Sequence, residues 1–164
     1  MGEEFLPLGM LNRPDAVGCS RARVEQAGAI CYRMSADSSL EVLLVASRRN
    51  GRWGIPKGRI EPGESSGVAA AREALEEAGV RGIVSNDTIG SFVYTKDSSN
   101  FAFHLDVHLL EVKETLVDFP EKQVRKLQWT PLETAADAVS HPRLRDLLLC
   151  LAEKMYPDLS AVFG

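Results

Sequence analysis

Between Glu61 and Gly79 the sequence carries start and stop signals for one helix, and that helix has to accommodate three glutamates on one side. Glu61-Pro62-Gly63-Glu64 has proline at the second and glycine at the third position of a type II turn. Ser65 or Ser66 then stands where a helix cap is needed, and Gly79 where a left-handed residue closes the helix. Val68, Ala71, Leu75 and Ala78 recur at helical spacing and are expected to form its apolar stripe, with small alanines allowing close approach to a sheet. Glu73, Glu76 and Glu77 are three and four residues apart, so they project from one side. Like charges at that spacing repel by about 0.2–0.5 kcal/mol per pair, and these lie toward the negative end of the helix dipole. One reading is a solvated acidic face. The other is a cage for a hard dication such as Mg2+, which takes carboxylate oxygens, keeps some of its waters and bridges to phosphates. Glu64 would point into the same region, and Arg72 could hold one carboxylate in a fixed rotamer.

Around this helix the pattern is that of a mixed sheet. Gln26–Arg33 and Leu40–Val45 read as strands joined by the turn-rich Ser35–Ser39, a hairpin. Strand signals resume at Ile89–Tyr94. The clearest strand is the next one, where Phe101, Phe103, Leu105, Val107 and Leu109 alternate with Ala102, His104, Asp106 and His108. Leu127–Trp129 reads as a short strand, Thr130-Pro131-Leu132-Glu133 as a capping-box helix start, and about Arg143–Met155 as a last helix burying Leu144, Leu147, Leu148 and Leu151. Strands around one central helix followed by terminal helices imply an α/β (α+β) fold, a mixed sheet packed between helices. Residues 1–24 carry little period and are expected to be an arm of flexible character, with residues 25–164 as one domain.

Composition narrows the function classes. The 164 residues are 45% hydrophobic and 26% charged, as in a globular chain with its own core. No apolar run approaches the roughly 20 residues of a membrane span. The first residues lack a basic, then apolar, secretory pattern, so a cytoplasmic location is expected. Cys19, Cys31 and Cys150 are widely separated and in no metal-ligand spacing; Cys31 and Cys150 lie in apolar stretches and are expected to be buried thiols. The net charge of −4 speaks against extended nucleic-acid binding, though not against a small anionic ligand.

The stretch Gly58–Val80 resembles the Nudix box: glycine, five residues, glutamate, seven residues, Arg-Glu, an aliphatic position, any residue, Glu-Glu, any residue, glycine, aliphatic. Gly58, Glu64, Arg72, Glu73, Glu76, Glu77, Gly79 and Val80 all fall in place, with Ala74 a soft departure at the aliphatic position. Chance agreement is on the order of once in 10⁸ windows, which sets the solvated-face reading aside. The likeness extends over about Gln26–Leu149. It implies a Nudix-like α/β/α sandwich and a pyrophosphohydrolase that uses Mg2+, with Mn2+ as a substitute. It also implies that Glu73, Glu76 and Glu77 ligate metal, joined by the backbone carbonyl of Lys57. Glu73 is then the expected base, Glu64 its competitor, and Arg72 part of the catalytic set. Many members supply a further carboxylate from a loop before the late Trp-containing strand; Glu121 is the nearest here.

Leu43–Gly58 is similar to both diphosphoinositol polyphosphate phosphohydrolases and diadenosine polyphosphate hydrolases, the Pro56-Lys57-Gly58 form leaning to the latter. Arg48, Arg49, Arg52, Lys57 and Arg59 put five cations in twelve residues, a cluster able to grip a polyphosphate tail. Lys122, Arg125 and Lys126 are candidates to extend it. His104 and His108 are expected to be structural, Trp53 and Trp129 packing residues, and Phe92 or Tyr94 a candidate purine platform. The partner implied is a polyphosphorylated small molecule. The alternatives are a nucleotide-pool or RNA-cap pyrophosphohydrolase, or a non-catalytic phospholigand sensor, which would usually have lost a box glutamate.

Overall fold

The structure, a computed structural model, describes residues 22–96 and 99–156. Most of the expected arm 1–24, including Cys19, lies outside the described residues, and Arg23 and Val24 already belong to the first strand. The strands are β1 (Arg23–Met34), β2 (Leu40–Ala46), β3 (Trp53–Gly54), β4 (Lys57–Arg59), β5 (Val80–Thr95), β6 (Ala102–Thr115) and β7 (Leu127–Pro131). The helices are α1 (Ser66–Ala78), α2 (Leu132–Ala138) and α3 (Pro142–Met155).

The sheet runs β3-β2-β1-β6-β5, with β4 also on β1 and β7 on β2. Among the described residues only β1 and β6 pair in parallel, Arg23 opposite Ala102 through Tyr32 opposite Glu111. The other pairs are antiparallel, so the sheet is mixed as expected. β1 and β2 pair only near their hairpin, from Tyr32–Val42 to Met34–Leu40. Beyond it they part, and the short β3 and β4 fill the opening, β3 against Val45–Ala46 and β4 against Gln26–Gly28. That split is what directs the loop between β3 and α1 across the middle of the sheet.

Alternation divides the core between two faces. Ile30, Val42, Leu44, Leu105 and Val107 pack with Leu132, Leu144, Leu148 and Leu151 of α2 and α3. Ala27, Ala29, Cys31, Leu43, Val45 and Leu110 pack beneath α1. The layers are therefore helix, sheet, helix. Ser65 caps α1, its side chain accepting from the Val68 amide, and Gly79 closes it at φ 66°, as the sequence implied.

The apolar stripe of α1 is displaced from the expected one. Val68 is exposed and Leu75 only half-buried, while Ala69, Ala70, Ala74 and Ala78 are buried. Small side chains on both surfaces, Ala27, Ala29 and Cys31 below, bring helix and strand close, and bulkier groups move to the margins of that seam. The rotation carries Glu73 and Glu77 into the buried set, at 8% and 6% exposure. Two further expectations are corrected. Pro131 occupies the N-cap position of α2 with no side-chain cap, because Thr130 stays in β7 and its hydroxyl donates to the Gln128 carbonyl instead. Cys150 is exposed, since α3 turns Leu144, Leu148 and Leu151 to the sheet and position 150 away from it. Cys31 is buried, which pushes its thiol up to about 12.

Candidate active site

Arg72 is the hub of the acidic side of α1. Its Nε and Nη2 donate to the two oxygens of Glu64 at 2.8 Å each, a bidentate pair. Nη1 donates to Glu73 Oε1 at 2.7 Å and reaches Glu76 Oε2 at 3.4 Å, and Nη2 also meets the Arg59 carbonyl at 3.0 Å. Glu64 further accepts from the Glu61 amide at 2.8 Å across the turn. These bonds hold its carboxyl down at about 2, the Arg72 contact being the larger cause. Glu73 moves the other way. Burial raises its pKa despite Arg72, and its carboxylate lies against Gly58, where any Cβ would overlap it.

Glu77, one turn on, has different partners. Its Oε2 accepts from the Lys57 amide at 3.2 Å, and its Oε1 from Arg125 Nη2 at 3.0 Å. Burial still raises its carboxyl to about 7. Arg125 also donates through Nε to Glu121 Oε1 at 3.3 Å and through Nη1 to the Ala46 carbonyl at 3.4 Å. Glu121 meets Arg48 at 3.8 Å, and its amide donates to the Glu76 carbonyl at 2.9 Å. The segment before β7 is thereby tied to the last turn of α1, beside Phe119, which packs on Gly79.

The five expected acids thus form two connected groups rather than one cage. Glu64, Glu73 and Glu76 gather on Arg72, and Glu77 and Glu121 on Arg125. Among the described residues no three acidic, histidine or cysteine side chains converge as a metal centre. The chemistry nonetheless suits a hard dication. Glu73 and Glu77 are buried carboxylates one helical turn apart, all the donors are oxygen, and Gly58 leaves the space that Glu73 occupies.

A cleft of about 700 Å³ opens beside Glu77. Arg48, Arg49, Arg52, Lys57, Lys96 and Arg125 line it, with Trp53, Phe92, Tyr94 and His141. Of the expected basic set, Arg48, Arg49, Arg52 and Lys57 reach the cleft together. Arg59 does not: its side chain is exposed, and only its carbonyl takes part, on Arg72. Burial lowers the pKa of Lys57, with Glu77 opposing it. Of the three late cations Arg125 alone joins, since Lys122 pairs with Asp118 and Lys126 does not line the space.

Other expected roles sort by what the side chains touch. His108 is buried and structural, one ring nitrogen 2.8 Å from the Ser66 hydroxyl and the other 2.8 Å from the Ser85 carbonyl. His104 meets Glu25 at 2.6 Å. Trp129 lies under the Arg33 guanidinium, 3.8 Å from its centroid. Phe92 and Tyr94 do face the cleft, but each ring already stacks, on His141 at 4.5 Å and on Phe103 at 5.2 Å. His141 was not legible as a cleft residue. Its one sequence signal is the His-Pro pair opening α3, where it caps the helix by accepting from the Arg143 amide.

Comparison with known proteins bears on the family and the fold. The NUDIX domain family matches residues 24–149. Nudix hydrolase 16, mitochondrial, of Arabidopsis thaliana is 35% identical over 116 residues, 67% of this chain and 64% of that protein. Diphosphoinositol polyphosphate phosphohydrolase 3-alpha of Homo sapiens is 37% identical over 114 residues, 68% of this chain and 66% of that protein. The chain thus spans just under two thirds of the length of these relatives. A crystal structure of a C. elegans Ap4A hydrolase binary complex superposes with a TM-score of 0.66 at 26% identity, covering 82% of this chain and 98% of that one. With the box residues on and around α1 and the layered sheet beneath them, the chain belongs to the Nudix family.

Proposed function

We propose that the protein is a metal-dependent pyrophosphohydrolase that cleaves phosphoanhydride bonds of polyphosphorylated small molecules by attack of water at phosphorus. The substrate is of the dinucleoside polyphosphate or diphosphoinositol polyphosphate type, two of the kinds that the relatives' names point to, an 8-oxo-(d)GTP phosphatase being a third. The observation that carries this reading is the cleft itself, where Arg48, Arg52, Lys57 and Arg125 converge beside Glu77 on the carboxylate helix. Such cations grip a polyphosphate and take up charge that develops in phosphoryl transfer.

Glu73, Glu76 and Glu77 would hold Mg2+, with the Lys57 carbonyl and Glu121 completing the set. When bound, the metal supplies charge neutralisation at phosphoryl oxygens and acidifies water. The chain's own residues do the rest. Glu73 accepts the proton of the attacking water, for which geometry favours it over Glu64. Both Glu64 oxygens are held by Arg72 and one also by the Glu61 amide, whereas only one oxygen of Glu73 meets Arg72. Arg72 holds that rotamer. Arg48, Arg49 and Arg52 anchor the phosphates not being cleaved.

No helix among the described residues is long and apolar enough to cross a membrane. Free thiols at Cys31 and Cys150 suit a reducing compartment, and we assign the protein to the cytoplasm. The test is a substrate panel with magnesium in oxygen-18 water, read by mass spectrometry. Inositol phosphate plus orthophosphate, or ATP plus AMP from a four-phosphate dinucleotide, is expected with label in one product. Monophosphate plus pyrophosphate would identify a nucleotide-pool enzyme instead, and tight binding without turnover a sensor.

A further inference from the structure

Arg125 holds two positions at once in the electrostatics of the cleft. It lines the space where phosphates would lie, and it is the direct counterion of Glu77. The pair is largely out of solvent, with side-chain exposures of 16% and 8%. Glu77 has one oxygen committed to the Lys57 amide, so the other, Oε1, is the one a cation would take, and that is the oxygen Arg125 Nη2 holds at 3.0 Å. The remaining contacts of the guanidinium are longer, 3.3 Å to Glu121 and 3.4 Å to the Ala46 carbonyl. A dication arriving at Oε1 competes for the same lone pairs and repels the guanidinium at close range. Once released, the fork keeps Glu121 within reach and swings along a wall that already contains Arg48 and Lys57, where bidentate phosphate contacts are open to it.

We infer that Arg125 is an exchange residue: it neutralises Glu77 until a divalent cation displaces it, and then clamps a phosphate of the substrate. Cation binding and phosphate binding are coupled through this one side chain. Arg72 does not do the same, because it does not line the cleft and its bidentate hold on Glu64 keeps it engaged there. The inference rests on Glu77 being a metal carboxylate, but not on which substrate is cleaved.

The test is Mn2+ titration without any phosphate, by calorimetry and by the electron paramagnetic resonance of free Mn2+. Wild type is compared with Arg125→Ala and with Arg125→Gln, which removes the charge and the reach to Glu77 but keeps a neutral donor near the Nε position toward Glu121 if the alanine variant fails to fold. Removing the competing charge should tighten Mn2+ binding by about tenfold, the scale of one charge-assisted hydrogen bond. With Mg2+ saturating, a methylene-bridged nucleotide analogue should bind both variants about tenfold more weakly. Equal or weaker Mn2+ binding in Arg125→Gln overturns the exchange role and leaves the proposed function standing. Absence of Mn2+ binding in wild type and variants alike overturns both.

Discussion

The carboxylate of Glu73 lies directly against the Cα of Gly58, on the side where any other residue would carry its Cβ. The contact joins the β4 end of the loop to the middle of α1, and it explains in steric terms why the box begins with glycine. Gly58→Ala should displace Glu73 or push β4 from β1. We expect a destabilisation of about 1–3 kcal/mol, as for overpacking, with turnover reduced far more than stability. Paired urea denaturation and steady-state kinetics separate the two; wild-type turnover in a folded Gly58→Ala protein would refute the contact.

Glu73 and Glu64 are both bonded to Arg72 but differ in what remains open. Glu73→Gln should lower kcat by about 10²–10⁴-fold, the range for a lost general base, and remove the acid limb of the pH–rate profile. Glu64→Gln should keep that limb. Interchanged profiles would transfer the role to Glu64. Glu76→Gln and Glu77→Gln should each cost orders of magnitude in turnover while circular dichroism stays unchanged.

Arg48 and Arg49 line the cleft away from the Arg72 cluster. Arg48→Ala combined with Arg49→Ala should raise KM about tenfold or more for long polyphosphates, about one charged hydrogen bond or two, with little change in kcat. A fall in kcat at constant KM would show that they do not anchor the tail.

The two carboxylates at opposite ends of the pKa range predict opposite pH behaviour in separate windows. Glu77 is raised from 4.5 to about 7, so it binds its proton more tightly folded than unfolded. The stability it contributes is complete below pH 4.5 and is lost as pH rises through about 7. Glu64 is lowered from 4.5 to about 2, so its contribution is present above 4.5 and lost as pH falls toward 2. His141, whose pKa burial lowers, contributes the opposite slope in this window, so the expectation is a difference: relative to wild type, chelated Glu77→Gln should gain melting temperature at pH 8 over pH 5. An unchanged slope in Glu77→Gln would assign the effect to other groups.

His108 joins the first turn of α1 to β5 through Ser66 and the Ser85 carbonyl. His108→Ala removes a buried ring and its two part-buried hydrogen bonds and should cost about 1–3 kcal/mol. Chemical denaturation measures it; a change below half a kcal/mol would show that the helix is positioned by its alanines alone.

Features that depend on neighbours in the chain were legible from the residues. The limits of α1 follow from the Ser65 cap and the left-handed Gly79, and β6 follows from its alternation, because caps and pleats act within a few residues. The acidic cluster was legible as chemistry for the same reason, its spacing being set by the helical turn. The β1–β2 hairpin was legible too, its turn being local; what required the tertiary structure were the relations between elements distant in sequence. The rotation of α1 that buries Glu73 and Glu77, the exposure of Cys150, and the entry of His141 into the cleft all depend on which surface each element meets. So does the partition of the acids. Glu77 finds Arg125, 48 residues away, only because β7 pairs with β2 and brings the preceding loop over the end of α1. Local sequence sets the conformation of each segment. Which charges meet is decided by packing, since a buried carboxylate must find its counterion wherever the fold puts one.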